Sequence, residues 1–158
     1  MPSEGRTTED QSQGGVTEGS PRPAGVQAAA VSDLSVFVVD DHQVVLDAVA
    51  AVIEATPGLA VAGSSMSGTE ALAQLEARTD TPVLLVDVNL GEEDGVEIAR
   101  RYVTEQHGTA VLMSARREID LPGDWRSAGA SAFVPKDQIG SGRLRSALIA
   151  AAQSAGAR

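Results

Sequence analysis

Cysteine is absent from the 158-residue chain, which excludes disulfides and thiolate metal sites. Aromatics are scarce at 3%, so the core has to be assembled from Val, Leu, Ile and Ala, for which an apolar fraction of 42% suffices. No run approaches the roughly 20 apolar residues that cross a bilayer. The N-terminus also lacks the basic start and apolar stretch of a secretory signal. A cytoplasmic protein without membrane attachment is expected. Positive charge is short as well. The formal net charge is −10, and nucleic-acid binding relies on Lys and Arg displacing counterions from phosphates, so direct nucleic-acid binding is not expected. Lysine is nearly missing: eleven of the twelve basic residues are Arg, and Lys136 is the sole exception. Either compositional bias or a site that needs an ammonium accounts for it.

The length suits one domain of ordinary size plus a tail. Residues 1–32 are rich in Gly, Ser, Thr, Pro, Gln and Glu without sustained periodicity, a composition that cannot bury enough apolar surface to order itself. They are predicted to be a disordered tail, with the folded domain at 33–155. From Leu34 onward short apolar runs alternate with helical patterns. The runs are Ser35–Val39, Leu59–Gly63, Val83–Val86, Ala110–Met113 and Ala132–Val134. Several are almost wholly apolar, as strands covered on both faces of a parallel sheet are. Helices are predicted over Val44–Ala55, Gly68–Arg78, Gly95–Gln106 and Ser141–Ala152. Ser67 with Glu70 reads as a capping box, and Asp94 as an N-cap. Between Ser114 and Ala130, Pro122 and Gly123 interrupt the place of a further helix, which is expected to be short, late or irregular, covering at most Asp124–Ala128. The alternation gives an α/β, doubly wound fold of five parallel strands, whose functional crevice lies at the carboxyl ends of the strands.

The polar groups gather at those ends. The first run closes in Asp40-Asp41, the third in Asp87, the fourth in Ser114, and the fifth runs into Pro135-Lys136. Three carboxylates this close repel one another, and a hard divalent ion with oxygen ligands relieves them. Mg²⁺ suits such a site because it takes one or two carboxylates, keeps several waters and accepts a phosphate oxygen. With Lys136 to neutralise residual charge and the Ser114 hydroxyl to donate, the set is equipped for phosphoryl transfer.

The segments VVDDH at 38–42, LLVDVNLGEEDG at 84–95, VLMSA at 111–115 and AFVPK at 132–136 resemble the receiver domain of bacterial two-component response regulators. The resemblance is strongest to receivers of the NarL/LuxR type, and it runs from about Leu34 to Ala152. It implies a flavodoxin-like fold with strand order 2-1-3-4-5, in which Asp87 is the phosphoacceptor for a histidine kinase or phosphotransfer protein. It also implies that Asp41, with Asp40 partly through water, holds Mg²⁺ together with Asp87 and the backbone carbonyl of Asn89. Lys136 would pair with a phosphoryl oxygen, Ser114 would swing toward the new group, and Phe133 would follow it inward. Asn89 and Arg116 would flank the phosphoryl group and set its lifetime. A chain of this kind catalyses only its own phosphorylation and dephosphorylation and is otherwise no enzyme.

Simpler roles stand beside these. Asp40 and Asp41 could cap the helix that follows, and Asp87 could be a solvated strand end. Ser114 and Phe133 could be ordinary strand and core residues, and His42 a partly exposed bystander. Trp125 could be a partner-facing anchor or a core plug. A haloacid dehalogenase-type phosphatase is set aside because Asn89 stands where its second Asp would be. LuxR-type relatives continue into a helix-turn-helix that this sequence leaves no room for. A stand-alone receiver in a phosphorelay is therefore expected, signalling through a changed surface to a downstream protein partner, with a homodimer as one mode of assembly. The irregular stretch 115–129 puts the usual dimerisation face in question. The alternative is a receiver-like interaction module that acts without phosphorylation.

Overall fold

The computed structural model describes residues 32–156 apart from 122. The predicted disordered tail lies outside the described residues except for its last position. Five strands, β1 (Leu34–Val39), β2 (Leu59–Ser65), β3 (Val83–Asp87), β4 (Thr109–Ser114) and β5 (Ala132–Pro135), form one parallel sheet in the order β2-β1-β3-β4-β5. This is the flavodoxin-like order implied by the resemblance. β3 and β4 are buried along their whole lengths, as their unbroken apolar runs require of strands covered on both faces.

Four helices supply that cover: α1 (Gln43–Glu54), α2 (Gly68–Glu76), α3 (Gly95–Gln106) and α4 (Arg143–Gly156). Side chains alternate across the strands. Phe37, Val39, Leu84, Val86 and Leu112 meet α2 and α3 on one face, while Val36, Val38, Leu85, Val111 and Met113 meet α1 and α4 on the other. Among the described residues no helix is long and apolar enough to cross a membrane.

The caps are largely those predicted. The Asp94 side chain accepts the Val96 N–H at 2.9 Å, and Ser67 accepts the Glu70 N–H at 3.2 Å. The capping box is only half made, because the Ser67 N–H donates to the Ser65 hydroxyl at 3.1 Å rather than to Glu70. Three helices shift from their predicted bounds. α1 starts and stops one residue earlier, and α2 ends at Glu76 rather than Arg78. α4 begins at Arg143 rather than Ser141, after a 3₁₀ segment at Lys136–Ser141.

The connection from β4 to β5 is irregular, as Pro122 and Gly123 suggested. It forms a 3₁₀ turn at Glu118–Asp120 and then hydrogen-bonded turns over residues 123–129, with no α-helix at Asp124–Ala128. Trp125 is nevertheless buried, with its ring 6.2 Å from that of Phe133, and it therefore serves as a core residue.

At the opposite end of the sheet from the acid cluster, the Tyr102 hydroxyl of α3 donates to the Pro82 carbonyl at 2.6 Å. Burial pushes this phenol up to about 12 from 10.0. Tyr102→Phe is expected to cost about 1 kcal/mol at neutral pH through the lost bond. It should also abolish an alkaline effect. The unfolded chain gives up the phenol proton near pH 10, before the folded chain does. The stability that depends on Tyr102 is therefore complete below pH 10 and lost as the pH rises toward 12. Urea unfolding at about pH 8 and about pH 11 would show a decline in the wild type that the variant lacks.

Candidate functional site

In a parallel sheet every strand delivers its carboxyl end to the same edge, and here that edge collects the predicted polar groups. Asp40 follows β1, Asp87 and Ser114 are the last residues of β3 and β4, and Lys136 follows β5. All except Lys136 are buried, Asp40 completely and Asp87 to within 4%. Lys136 Nζ lies 2.7 Å from Asp40 Oδ2 and 2.9 Å from Asp87 Oδ2, so a single ammonium bridges two carboxylates that would otherwise face each other unscreened. The other Asp87 oxygen, Oδ1, accepts the Asn89 N–H at 3.2 Å.

Burial pushes the Asp87 carboxyl above its ordinary range. The Lys136 and Asn89 hydrogen bonds work against that rise, and the charge of Asp40 adds to it. Burial alone would lower the Lys136 ammonium, but the carboxylates of Asp40 and Asp87 outweigh it and hold the group above its ordinary range. Lys136 therefore stays charged, and Asp87 carries the electrostatic cost of the cluster.

Asp41 completes the acidic set at the mouth of a cavity of about 230 Å³, which Asp87, Asn89, Ser114, Arg116 and Lys136 also line. Three carboxylates face the Lys136 ammonium, and even with the exposed Arg116 at the cavity wall the cluster stays net negative. The Asp41 Oδ1 atom is buried and is faced by the exposed His42 ring, whose Nδ1 stands 2.9 Å away. Buried carboxylate oxygens in a cluster of net negative charge are what a hard divalent cation would satisfy, and the donor set fits Mg²⁺.

Neither acid caps α1. Asp40 Oδ1 accepts the His42 N–H at 2.9 Å, and the N-cap position falls to His42, whose ring makes no cap bond. His42 is exposed, as the sequence suggested, and lies close to both acids. Its side chain is 68% exposed, yet Nδ1 stands 2.9 Å from Asp41 Oδ1 and 3.2 Å from Asp40 Oδ1, and the three side chains can converge on one ion.

The Ser114 hydroxyl accepts the Arg116 N–H at 3.0 Å. Phe133 does not line the acidic cavity. It is buried beneath Trp125 and opens onto a separate groove with Ser131 and Arg143. Gly91 sits at φ +73°, and a Cβ there would come 3.3 Å from Asp41 Oδ2. Proline, fixed near φ −65°, cannot occupy this position, so glycine lets the loop pass close to the acids.

Sequence reasoning missed Glu93. Its Oε1 accepts the Gly68 N–H at 2.7 Å, and its Oε2 accepts the Thr69 N–H at 2.9 Å and the Thr69 hydroxyl at 2.7 Å. These bonds, the Thr69 hydroxyl foremost, hold its carboxyl below the usual range. The only available signal was an acidic run, Glu92-Glu93-Asp94, longer than one helix cap needs.

Comparison with known proteins agrees with this layout. Residues 36–149 match the response regulator receiver domain family. A protein-glutamate methylesterase/protein-glutamine glutaminase of Nitrobacter winogradskyi is 30% identical over 119 residues, covering 73% of this chain and 28% of that protein. The DNA-binding transcriptional activator DevR/DosR of Mycobacterium tuberculosis is 34% identical over 106 residues, covering 66% of this chain and 48% of that protein. The chain thus spans less than half the length of either relative. Among solved structures, the signal receiver domain of the NarL response regulator from Mycobacterium tuberculosis superposes with a TM-score of 0.62 at 26% identity, covering 73% of this chain and 96% of that one.

Proposed function

Because the chain belongs to the response regulator receiver family, we propose that it accepts a phosphoryl group on Asp87 in a Mg²⁺-dependent reaction and signals through the surface that this changes. The observation that carries the reading is the single ammonium of Lys136 set between the buried carboxylates of Asp40 and Asp87, with the Asp41 carboxylate beside them. The donor is a phosphohistidine of a histidine kinase or phosphotransfer protein. An Asp87 carboxylate oxygen forms the new bond to phosphorus, the phosphorus–nitrogen bond breaks, and the imidazole leaves with the electron pair.

Asp40, Asp41, Asp87 and the Asn89 carbonyl would hold Mg²⁺, which when bound neutralises charge on the transferring oxygens. The remaining roles fall to side chains. Lys136, already charged and shared between two carboxylates, pairs with a phosphoryl oxygen. The Ser114 hydroxyl accepts from Arg116, and its own proton is committed to no partner among the described residues, so it is free to donate to the phosphoryl group. Phe133 follows Ser114 and carries the change to the Trp125 side, where a downstream protein docks. Asn89 and Arg116 limit the approach of water and so set the phosphoryl lifetime. The esterase and DNA-binding activities in the relatives' names belong to longer proteins and are not assigned to this chain.

Intact-protein mass after incubation with a small acyl or amido phosphate tests the reading. The expected result is a gain of one phosphoryl group that requires Mg²⁺ and vanishes in Asp87→Asn. A folded wild type that gains nothing would favour the phosphorylation-independent interaction module.

A further inference from the structure

The hairpin between Asp87 and α3 carries a contact that the phosphoryl chemistry does not use. The Val88 N–H donates to the Met113 carbonyl at 2.9 Å and the Gly95 N–H to the Val88 carbonyl at 2.8 Å, so both ends of the segment are anchored. Between them Asn89–Leu90 pairs antiparallel with Glu93–Asp94. From this hairpin the Glu93 carboxylate reaches α2 and takes the N–H groups of Gly68 and Thr69 together with the Thr69 hydroxyl. Amides in the first helical turn have no partner within the helix, and negative charge is favoured at that end.

The same entry to α2 is tied to the acid pair. The Asp40 N–H donates to the Ser65 carbonyl at 3.2 Å, and the Ser67 N–H to the Ser65 hydroxyl at 3.1 Å. One carboxylate therefore joins two loops, one carrying Asn89 and the other attached to Asp40. The tip of the Asn89 loop, Gly91, runs close against Asp41.

We propose that Glu93 is a positioning residue for the cation site: its clamp on the first turn of α2 holds the hairpin, and with it Asn89, in place beside Asp41. Without the clamp the hairpin keeps its anchors at Val88 and Gly95 but loses its lateral tie, and cation binding must then pay for ordering it. The inference rests on the Mg²⁺-dependent reading above.

The test is calorimetric titration of Mg²⁺ into the full chain, together with amide hydrogen exchange at residues 89–94 in metal-free protein. The proteins compared are wild type, Glu93→Ala, Glu92→Ala and Tyr102→Phe. Glu93→Ala is expected to weaken Mg²⁺ binding about tenfold, as loss of a contact supporting a metal ligand does, and to speed exchange in the hairpin. Glu92→Ala removes the same charge from the same hairpin and should change affinity by less than about twofold, being exposed and screened. Tyr102→Phe lowers global stability by a comparable amount and should leave both readouts unchanged. Wild-type affinity in Glu93→Ala, or equal weakening in Glu92→Ala, would overturn the positioning role while leaving the Mg²⁺ reading intact. Failure of the wild type itself to bind Mg²⁺ would overturn both.

Discussion

Lys136→Met is expected to destabilise the metal-free protein by about 3–5 kcal/mol, the range seen when one partner of a buried ion pair is removed. The size follows from what is left behind. Asp40 is fully buried and Asp87 nearly so, and Lys136 is the ammonium in contact with both. Methionine fills similar volume, so the loss is electrostatic rather than a cavity effect. If that account holds, Asp87→Asn in the Lys136→Met background should restore much of the loss, because it removes one of the two opposed charges. Asp87→Asn alone should cost little. A double-mutant cycle by urea unfolding measures the coupling directly. A Lys136→Met protein as stable as wild type would mean that the ammonium does not bridge the two acids.

Gly95→Ala should be still more damaging, costing more than about 4 kcal/mol or preventing folding, the range reserved for overpacking with no route of relief. A Cβ on Gly95 would lie 1.8 Å from the Asp87 carbonyl oxygen and 2.8 Å from the Val88 Cα. The obstacle is main chain, so no rotamer change avoids it. Either α3 leaves the sheet or the strand end carrying Asp87 moves. Gly140→Ala serves as the control, because a Cβ there meets nothing within 4 Å, and it should stay within about 1 kcal/mol of wild type. Comparable urea midpoints for the two variants would contradict the account. The same contact explains why α3 begins where it does. The Asp94 side chain caps the helix, and Gly95 lets its first turn rest directly on the end of β3.

Strand identity and the gathering of Asp40, Asp87, Ser114 and Lys136 were legible because each rests on a local pattern, an apolar run closed by a polar residue. Parallel pairing then brings the closing residues to one edge without further information from the chain. Glu93 was not legible, since its partners are backbone amides 24 and 25 residues away, and backbone donors leave no trace in side-chain periodicity. The proximity of His42 to the acids was not legible for a related reason. Its exposure follows from its place before α1, but the turn that brings Nδ1 back onto the acid pair depends on Asp40 Oδ1 accepting its N–H. Trp125 could be read either way, because the turns around it lack the repeat that would show which side faces inward. The need for glycine at position 91 was not legible either, because the positive φ that lets the loop pass beside Asp41 is a backbone property with no side-chain signature.

The β4–β5 connection also has a thermodynamic consequence. Among its described residues the backbone bonds are mainly short turns, such as Leu121 to Glu118, Ser127 to Asp124 and Gly129 to Arg126, rather than a cooperative helical ladder. Leu121 and Trp125 fasten it to the core, and an exposed Arg126–Glu118 pair braces it outside. Opening of such a segment breaks few backbone bonds, and its cost falls mainly on withdrawing the buried Leu121, Trp125, Ala128 and Ala130 from the core. The hold on this stretch above Phe133 therefore lies in a handful of buried side chains rather than in a helical ladder, so trimming one of them should loosen it more than the loss of any single backbone bond.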